Sequence, residues 1–209
     1  MPSRLLYLAR HGEQDRPPGG SAAVDPAHTG LSERGRRQAR FLAERLRDLP
    51  LDAVCHGPLR RAAETAELVV SARPDLPGYA SELAGDYLPD DTDPTGLPPA
   101  YAEFLSGFSE RERTDGPGLA AEAVRRFTSV PAEGDRRELV ITHNFLIAWL
   151  VRHALAAPPP RWLGLNSHNC GLTAILYRPD RPPTLLAFND TGHLPWELRG
   201  TGLPPELRF

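Results

Sequence analysis

Two histidines and an arginine stand where short apolar segments of the sequence end. His11 follows the segment Arg4–Ala9, and His143 follows Arg137–Thr142. Arg61 lies at the start of a helical pattern that comes after a third apolar segment. A neutral imidazole can act as a nucleophile or a base, and guanidinium groups bind phosphate oxygens with paired hydrogen bonds. If these side chains meet at one edge of the fold, they indicate binding and transfer of a phosphoryl group.

The elements that must position these residues alternate between strand and helix. Strand patterns cover Arg4–Ala9, Leu51–Cys55, Arg137–Thr142, Leu172–Tyr177 and Thr184–Phe188. Helix patterns run from a cap at Ser32 to about Asp48, from Leu59 to about Ser71, over Leu119–Val130 and over Asn144–Ala156. This alternation predicts an α/β fold, a single-domain three-layer α/β/α sandwich with a mostly parallel central sheet. In such a sheet, functional groups gather at the carboxyl ends of the strands.

Between residues 72 and 118 the periodic pattern is lost. Pro and Gly recur there, and four acidic residues form a loose stretch: Asp86, Asp90, Asp91 and Asp93. A segment of this length without a pattern predicts a lid or binding insertion. We therefore expect residues 1–209 to form one domain that carries this lid-like insertion.

Composition narrows the classes of function. The chain has 209 residues and a formal net charge of −3, which argues against a partner that is a nucleic acid or a membrane surface. All 24 basic residues are arginine, so chemistry that needs a lysine is excluded. The two cysteines form neither a disulfide framework nor a zinc site by themselves. No apolar run has the length of a membrane span, and a cytoplasmic location is predicted.

Five segments, in order, resemble the histidine phosphatase superfamily, also called the phosphoglycerate mutase-like family. Leu6–Gln14 (LYLARHGEQ) is similar to its Arg-His-Gly signature after the first strand, and His28–Ala39 resembles its "LTxxGxxQA" segment. Gly57–Leu68 resembles "SPLxRAxxTAE", Val140–Asn144 matches the segment of the second histidine, and Phe188–Leu194 resembles a motif near the C-terminus. Together these segments span nearly the whole chain.

The resemblance implies a role for each matching residue. His11 would be the nucleophile that accepts the phosphoryl group, and Arg10, Arg61 and His143 would bind the phosphate oxygens. The backbone amide of Asn144 would also face the phosphate. The resemblance implies a metal-independent phosphatase with a phosphohistidine intermediate and no cofactor. The charges of the neighbouring guanidinium groups would keep His11 neutral and stabilise the phosphoryl oxygens during transfer.

The proton donor for the leaving group is less closely defined. The family takes a carboxylic acid from the segment after "TAE", often in a Leu-x-Glu pattern, whereas this chain reads SELAGDYLP over Ser81–Pro89. We favour Asp86 as general acid and later general base, with Glu82 as the alternative.

Three positions depart from the family pattern. Pro17 and Pro18 stand where an asparagine that touches phosphate is common, Gly57 replaces the serine of "SPL", and Asn144 stands where glycine is usual. The departures concern the polar groups around the phosphate and leave the proposed core of the site unchanged.

Rival functions remain at this point. A phosphoglycerate mutase is disfavoured because the Glu-Arg-His-Tyr-Gly stretch of the family's mutases is absent. A non-catalytic phosphate-ester binder would hold esters without releasing phosphate, and zinc-dependent hydrolysis through His11 and His143 lacks a third ligand.

The sequence also predicts the kind of partner, a small-molecule phosphate ester. Aromatic residues in the insertion favour a monophosphate with a neutral, cationic or ring-bearing organic part, and its aspartates disfavour polyphosphates. These aromatic residues are Tyr79, Tyr87, Tyr101, Phe104 and Phe108. Oligomeric state is left open.

Overall fold

The computed structural model describes residues 1–15, 28–90, 92–203 and 207. Its strands are β1 (Ser3–Arg10), β2 (Ala53–His56), β3 (Gly78–Ala80), β4 (Asp135–Thr142), β5 (Leu172–Arg178) and β6 (Arg181–Asp190). Its α-helices are α1 (Glu33–Leu46), α2 (Arg60–Ser71), α3 (Pro99–Ser106), α4 (Glu110–Thr128) and α5 (Asn144–Ala154). Short 3₁₀ helices lie at Glu82–Ala84, Pro159–Gly164 and Trp196–Leu198.

The strands form one six-stranded sheet in the order β3-β2-β4-β1-β5-β6. The first four strands of this order are parallel, whereas β5 and β6 are antiparallel to their neighbours. Helices α1 and α2 pack on one face around Ala9, Val54 and Leu139. Helices α4 and α5 pack on the other face around Leu6 and Leu8. The predicted α/β fold with a mostly parallel central sheet is confirmed.

Strand β1 is apolar on both faces because helices cover the sheet from both sides. Successive side chains of a strand alternate between faces, so Leu8 and Ala9 enter different cores. Helix α1 begins where the sequence predicts it, because the Ser32 hydroxyl accepts a hydrogen bond from the Gly35 amide over 3.0 Å.

The prediction of an unpatterned segment between residues 72 and 118 is wrong for much of its length. Strand β3 and helix α3 lie within it, and α4 begins at Glu110 rather than Leu119. Ser109 and Glu112 form a capping box at that start, a sequence signal that Pro117 and its flanking glycines obscured. Gly116, next to Pro117, packs closely on the chain before α3, since a Cβ there would lie 2.0 Å from the Leu88 carbonyl oxygen. The lid role of the segment stays a prediction.

Three residues named in the sequence analysis, Pro17, Pro18 and Asp91, lie outside the described residues. In the part of the chain that is described, no helix is both long enough and apolar enough to cross a membrane.

Candidate active site

The two histidines meet at the carboxyl edge of the parallel strands. Arg10 at the end of β1 pairs in register with Thr142 at the end of β4, so the next residue of each strand is a histidine. The rings of His11 and His143 have their centroids 4.9 Å apart. The strand pairing that the sequence implied therefore brings together two residues that are far apart in the chain.

His11 presents Nε2 as a hydrogen-bond acceptor. Its Nδ1 lies 2.7 Å from the Gly12 carbonyl oxygen, while the Nε–H of Arg61 donates to Nε2 over 3.2 Å. Because a guanidinium has no acceptor, this pattern assigns the proton of His11 to Nδ1 and a lone pair to Nε2. Burial lowers the pKa of His11 well below its ordinary value, and the neighbouring His143, Arg10 and Arg61 lower it further. His11 is thus a neutral imidazole at neutral pH, the form that can attack phosphorus.

Arg61 joins the polar groups of the site. It lies in the first turn of α2 with 5% of its surface exposed. Its Nη2 donates to Asp86 Oδ2 over 2.9 Å and lies 3.4 Å from Nδ1 of His143. The adjacent Arg60 points away from the site and pairs with Glu64 over 2.7 Å, because consecutive helix residues face different directions.

Arg10 is held by two backbone carbonyls. Its Nη1 donates to the oxygen of Ser167 over 2.7 Å and to that of Gly202 over 2.6 Å. These acceptors lie far along the chain, so the C-terminal segment fixes an arginine that β1 supplies. Arg10 lines the same cavity as His11 and Arg61.

Asp86 is among the described residues that line this cavity, whereas the other candidate acid, Glu82, is not. Glu82 is exposed in the 3₁₀ helix Glu82–Ala84. Enclosure in the cavity raises the pKa of Asp86 above its ordinary value, against the lowering effect of Arg61 and Arg10. Although its side chain is 35% exposed, Asp86 therefore holds a proton at a higher pH than a free aspartic acid does.

His143 is fully buried. It is 1% exposed and is not among the described residues that line the cavity. Its Nδ1 lies 3.5 Å from Asp86 Oδ2, and burial with the nearby Arg61 and Arg10 lowers its pKa well below the ordinary value. His143 is consequently neutral, and its contact with Asp86 is not an ion pair.

Asn144 opens α5 and lines the cavity. Its side-chain oxygen accepts hydrogen bonds from the amide and the hydroxyl of Ser167, over 2.7 and 2.9 Å. The side chain thus ties α5 to the segment that holds Arg10.

The structure leaves no room for a serine side chain at position 57. A Cβ at this position would lie 2.3 Å from the Ala84 carbonyl oxygen and 3.3 Å from Nε2 of His143. The glycine lets the 3₁₀ helix approach the end of β2, and Asp86 follows that helix by two residues. The departure from the family pattern therefore helps to place Asp86.

Sequence reasoning missed two supporting residues. Thr65 accepts a hydrogen bond from the Gly12 amide over 3.1 Å, and Asn169 donates to the His11 carbonyl oxygen over 2.9 Å. Thr65 belongs to the quoted "TAE" motif, which was a usable signal. Asn169 had none, because only tertiary packing brings it next to His11.

These groups open onto a cavity of about 1310 Å³. Of the five aromatic residues assigned to the insertion, Tyr101 and Phe104 line it, whereas Tyr79 contacts Glu138 and the Tyr87 hydroxyl donates to the Leu83 carbonyl oxygen. Phe145 and Trp162 line the cavity as well. The described residues contain no group of three or more His, Cys, Asp or Glu side chains arranged to hold a metal ion.

The sequence profile of the histidine phosphatase superfamily (branch 1) matches residues 6–84 and 95–191. The chain belongs to this superfamily. The predicted resemblance is confirmed, and the match includes both candidate histidines and both candidate arginines.

A curated relative of this chain is named as a protein phosphatase. The mitochondrial serine/threonine-protein phosphatase Pgam5 of Caenorhabditis briggsae is 29% identical over 197 residues, covering 92% of this chain and 65% of the relative. The chain thus spans about 65% of the length of that curated relative.

Solved structures share the fold. Bacillus stearothermophilus YhfR is 26% identical with a TM-score of 0.69, covering 91% of this chain and 98% of its own. The α-ribazole phosphatase of Shigella flexneri is 22% identical with a TM-score of 0.65, covering 89% of this chain and 96% of its own. At that identity, the second likeness concerns the fold alone.

The comparison contradicts the predicted cytoplasmic location. Curated relatives from nematode, rat and human carry a mitochondrial location in their names. The prediction was wrong because it rested on net charge and apolar runs, whereas receptors that read targeting signals decide the compartment.

Proposed function

We propose that this chain is a phosphoric monoester hydrolase that acts on a small-molecule phosphate ester through a phosphohistidine on His11. The observation that carries the proposal is one chain of contacts on a cavity wall. Arg61 donates to Nε2 of His11 and to Asp86, so the nucleophile, a phosphate-binding cation and an acid lie side by side.

In the first step, the Nε–H of Arg61 turns from Nε2 of His11 to a phosphoryl oxygen. The freed lone pair on Nε2 then attacks phosphorus and the ester P–O bond breaks. The bonding electrons leave with the ester oxygen, and protonated Asp86 donates its proton to that oxygen. Arg10 and Arg61 bind the phosphoryl oxygens and stabilise their charge during transfer. Phosphate would take the place that Asp86 occupies on Arg61.

In the second step, water attacks the phosphohistidine. The carboxylate of Asp86 accepts a proton from this water, the P–N bond breaks, and phosphate leaves. His11 regains its lone pair and Asp86 regains its proton. The cycle uses only side chains of this chain and water.

His143 and Asn144 retain their predicted roles as phosphate ligands in this proposal. The backbone amide of Asn144 lies in the first turn of α5, where helix amides attract anions. His143 would contact the phosphate where Asp86 now lies, since its Nδ1 is 3.5 Å from Asp86 Oδ2.

A second candidate is hydrolysis of phosphoserine or phosphothreonine in proteins, and the names of the Pgam5 relatives favour it. The depth of the nucleophile supports the smaller substrate. His11 is only 4% exposed, and a phosphoserine side chain is short, so its peptide backbone would have to enter the cavity.

The test is phosphate release, with a chelator present, from an aryl phosphate, an alkyl phosphate and a phosphoserine peptide. We expect release from both small esters and none with His11→Ala. Asp86→Asn should slow the alkyl ester by roughly 100- to 10,000-fold and the aryl ester much less, because an aryl oxide needs little help to leave.

Other outcomes would overturn the proposal. Loss of activity with the chelator would indicate zinc-dependent hydrolysis, and ester binding without phosphate release would indicate a binding module. Transfer to a phosphoglycerate in preference to water would indicate a mutase. Faster release from the peptide than from any small ester would favour the protein phosphatase.

A further inference from the structure

One wall of the cavity differs from the phosphate end. It is formed by Ala100, Tyr101, Phe104, Phe145, Trp162 and Leu163. None of these lining residues is charged, whereas the phosphate end carries Arg10, Arg61 and Asp86. The cavity also carries Glu13, Asp15, Arg34 and Arg199, so the uncharged aromatic wall contrasts with the charged remainder of the lining.

The rings of this wall come from three elements and meet edge to face. Phe104 of α3 and Phe145 of α5 have centroids 5.8 Å apart at 85°. Trp162, in the 3₁₀ helix Pro159–Gly164, lies 5.2 Å from Phe145 at 67° and 6.5 Å from Phe104 at 61°. In an edge-to-face cluster, a further ring can add to the same pattern of contacts.

The ring of Phe104 is only partly covered by the rest of the cluster. Trp162 is 2% exposed and belongs to the core, but Phe104 is 41% exposed. Unlike Phe41, which is also partly exposed, Phe104 lines the cavity that holds Arg61, so its open face is available to a ligand bound there. Phe108 supports Phe104 from behind, with centroids 5.2 Å apart, and is not among the described lining residues.

We propose that this wall binds an aromatic ring in the organic part of a small-molecule phosphate monoester. The inference rests on the proposed function for the phosphate end and adds the class of substrate. A ring fits because the wall offers ring edges and no charge, so a second phosphate or a carboxylate there would be desolvated without a partner. Continuity with the phosphate end sets the ligand's shape, with phosphate at one end and a ring at the other.

The test is calorimetric binding of phosphonates, which cannot be hydrolysed at the P–C bond. The ligands are propylphosphonate, phenylpropylphosphonate and cyclohexylpropylphosphonate, and the proteins are the wild type, Phe104→Ala and Phe41→Ala. Phe41 is the matched control because it is 36% exposed on α1 and is not among the described lining residues. Near-ultraviolet circular dichroism checks the fold of each variant.

We expect the phenyl ligand to bind the wild type about tenfold more tightly than propylphosphonate. Phe104→Ala should remove most of that advantage, whereas Phe41→Ala should bind all three ligands as the wild type does. The cyclohexyl ligand should fall between the other two, since it is apolar but lacks a ring quadrupole.

Each contrary result has a definite meaning. Equal binding of the phenyl and propyl ligands, or an advantage that survives Phe104→Ala, overturns the inference. Equal binding of the phenyl and cyclohexyl ligands overturns its aromatic part. Tighter binding of a phosphoserine peptide than of the phenyl ligand overturns the small-molecule class.

Failure of the proposed function would look different. In that case the phenyl ligand would keep its Phe104-dependent advantage, while phosphate release would be absent or would survive His11→Ala. If none of the phosphonates binds the wild type, the cavity has no phosphate site at Arg10 and Arg61, and both proposals are refuted.

Discussion

Nε of Arg61 donates a hydrogen bond to Nε2 of His11 over 3.2 Å, so one guanidinium fixes which nitrogen of the histidine carries a lone pair. The contact links the start of α2 to the end of β1. The same guanidinium holds Asp86 over 2.9 Å. One side chain therefore contacts both His11 and Asp86.

Replacement of Arg61 should disable the site more than replacement of its neighbour. Lysine cannot reproduce the fork of donors, so we expect Arg61→Lys to lower kcat/KM for an aryl phosphate by roughly 100- to 1,000-fold. Arg60→Lys is the control, because the Arg60 side chain is 62% exposed and pairs with Glu64. Equal activity of the two variants would contradict a role for Arg61 in transfer.

The pH dependence of activity should follow the titration of His11 and Asp86, whose pKa values are shifted. His11 must be neutral, and its pKa is lowered well below the ordinary value, so the acid limb of kcat/KM should lie well below that of a free imidazole. Asp86 must be protonated to assist the leaving group, and its pKa is raised, so activity on an alkyl phosphate should fall as pH rises through that raised value.

Asp86→Asn provides the control for this profile. The substrate phosphate titrates identically with both proteins, so the ratio of wild-type to variant kcat/KM isolates Asp86. We expect the ratio to be largest at low pH and to decline as pH rises. A ratio that does not vary with pH would exclude Asp86 as the acid.

Gly57→Ala should displace the acid. The added Cβ would lie 2.3 Å from the Ala84 carbonyl oxygen, so the 3₁₀ helix before Asp86 must move. We expect kcat for an alkyl phosphate to fall by about 100-fold, the typical cost of a misplacement near 1 Å.

Two comparisons distinguish displacement of Asp86 from general misfolding. Gly118→Ala is the matched variant, because a Cβ there meets nothing within 4 Å. The aryl phosphate should be affected less than the alkyl phosphate, whereas general misfolding would lower both rates equally. An unchanged alkyl rate in Gly57→Ala would show that Gly57 does not help to position Asp86.

Glu138 should stabilise the fold from neutral pH down to the acid range. Its side chain is fully buried and pairs with Arg4 over 2.9 Å and with Arg126 and Arg136 over 3.1 Å each. These partners, with Tyr79, outweigh the effect of burial and lower the pKa of Glu138 from 4.5 to about 2. Stability from this group is present above the unfolded pKa and is lost as pH falls toward 2.

We therefore expect Glu138→Gln to lower the free energy of unfolding by about 3 kcal/mol at neutral pH. Urea denaturation at neutral pH and at about pH 3 measures the difference, which should shrink in acid. Glu133→Gln serves as the control, because Glu133 is exposed two residues before the same strand. A difference independent of pH would contradict the linkage to the charge of Glu138.

The local sequence determined the sheet and the position of the histidines along it. Strand β1 is apolar on both faces and α1 has a serine cap, so both could be read without tertiary information. Histidines placed directly after two apolar strands meet once those strands pair in parallel, since parallel strands end at one edge. His11 and His143 could therefore be placed at one edge in advance, whereas Asp86 was chosen only from the family resemblance, with Glu82 as the alternative.

Tertiary structure decided the surroundings of the site. Helix α4 runs through Pro117, and Gly116 packs directly against Leu88, a contact that local propensity does not contain. Asn169 reaches His11 over 2.9 Å although the two residues are 158 positions apart. Phe145 and Trp162 join Phe104 for the same reason, since burial and packing bring distant elements together whereas periodicity reports only on neighbours in the chain.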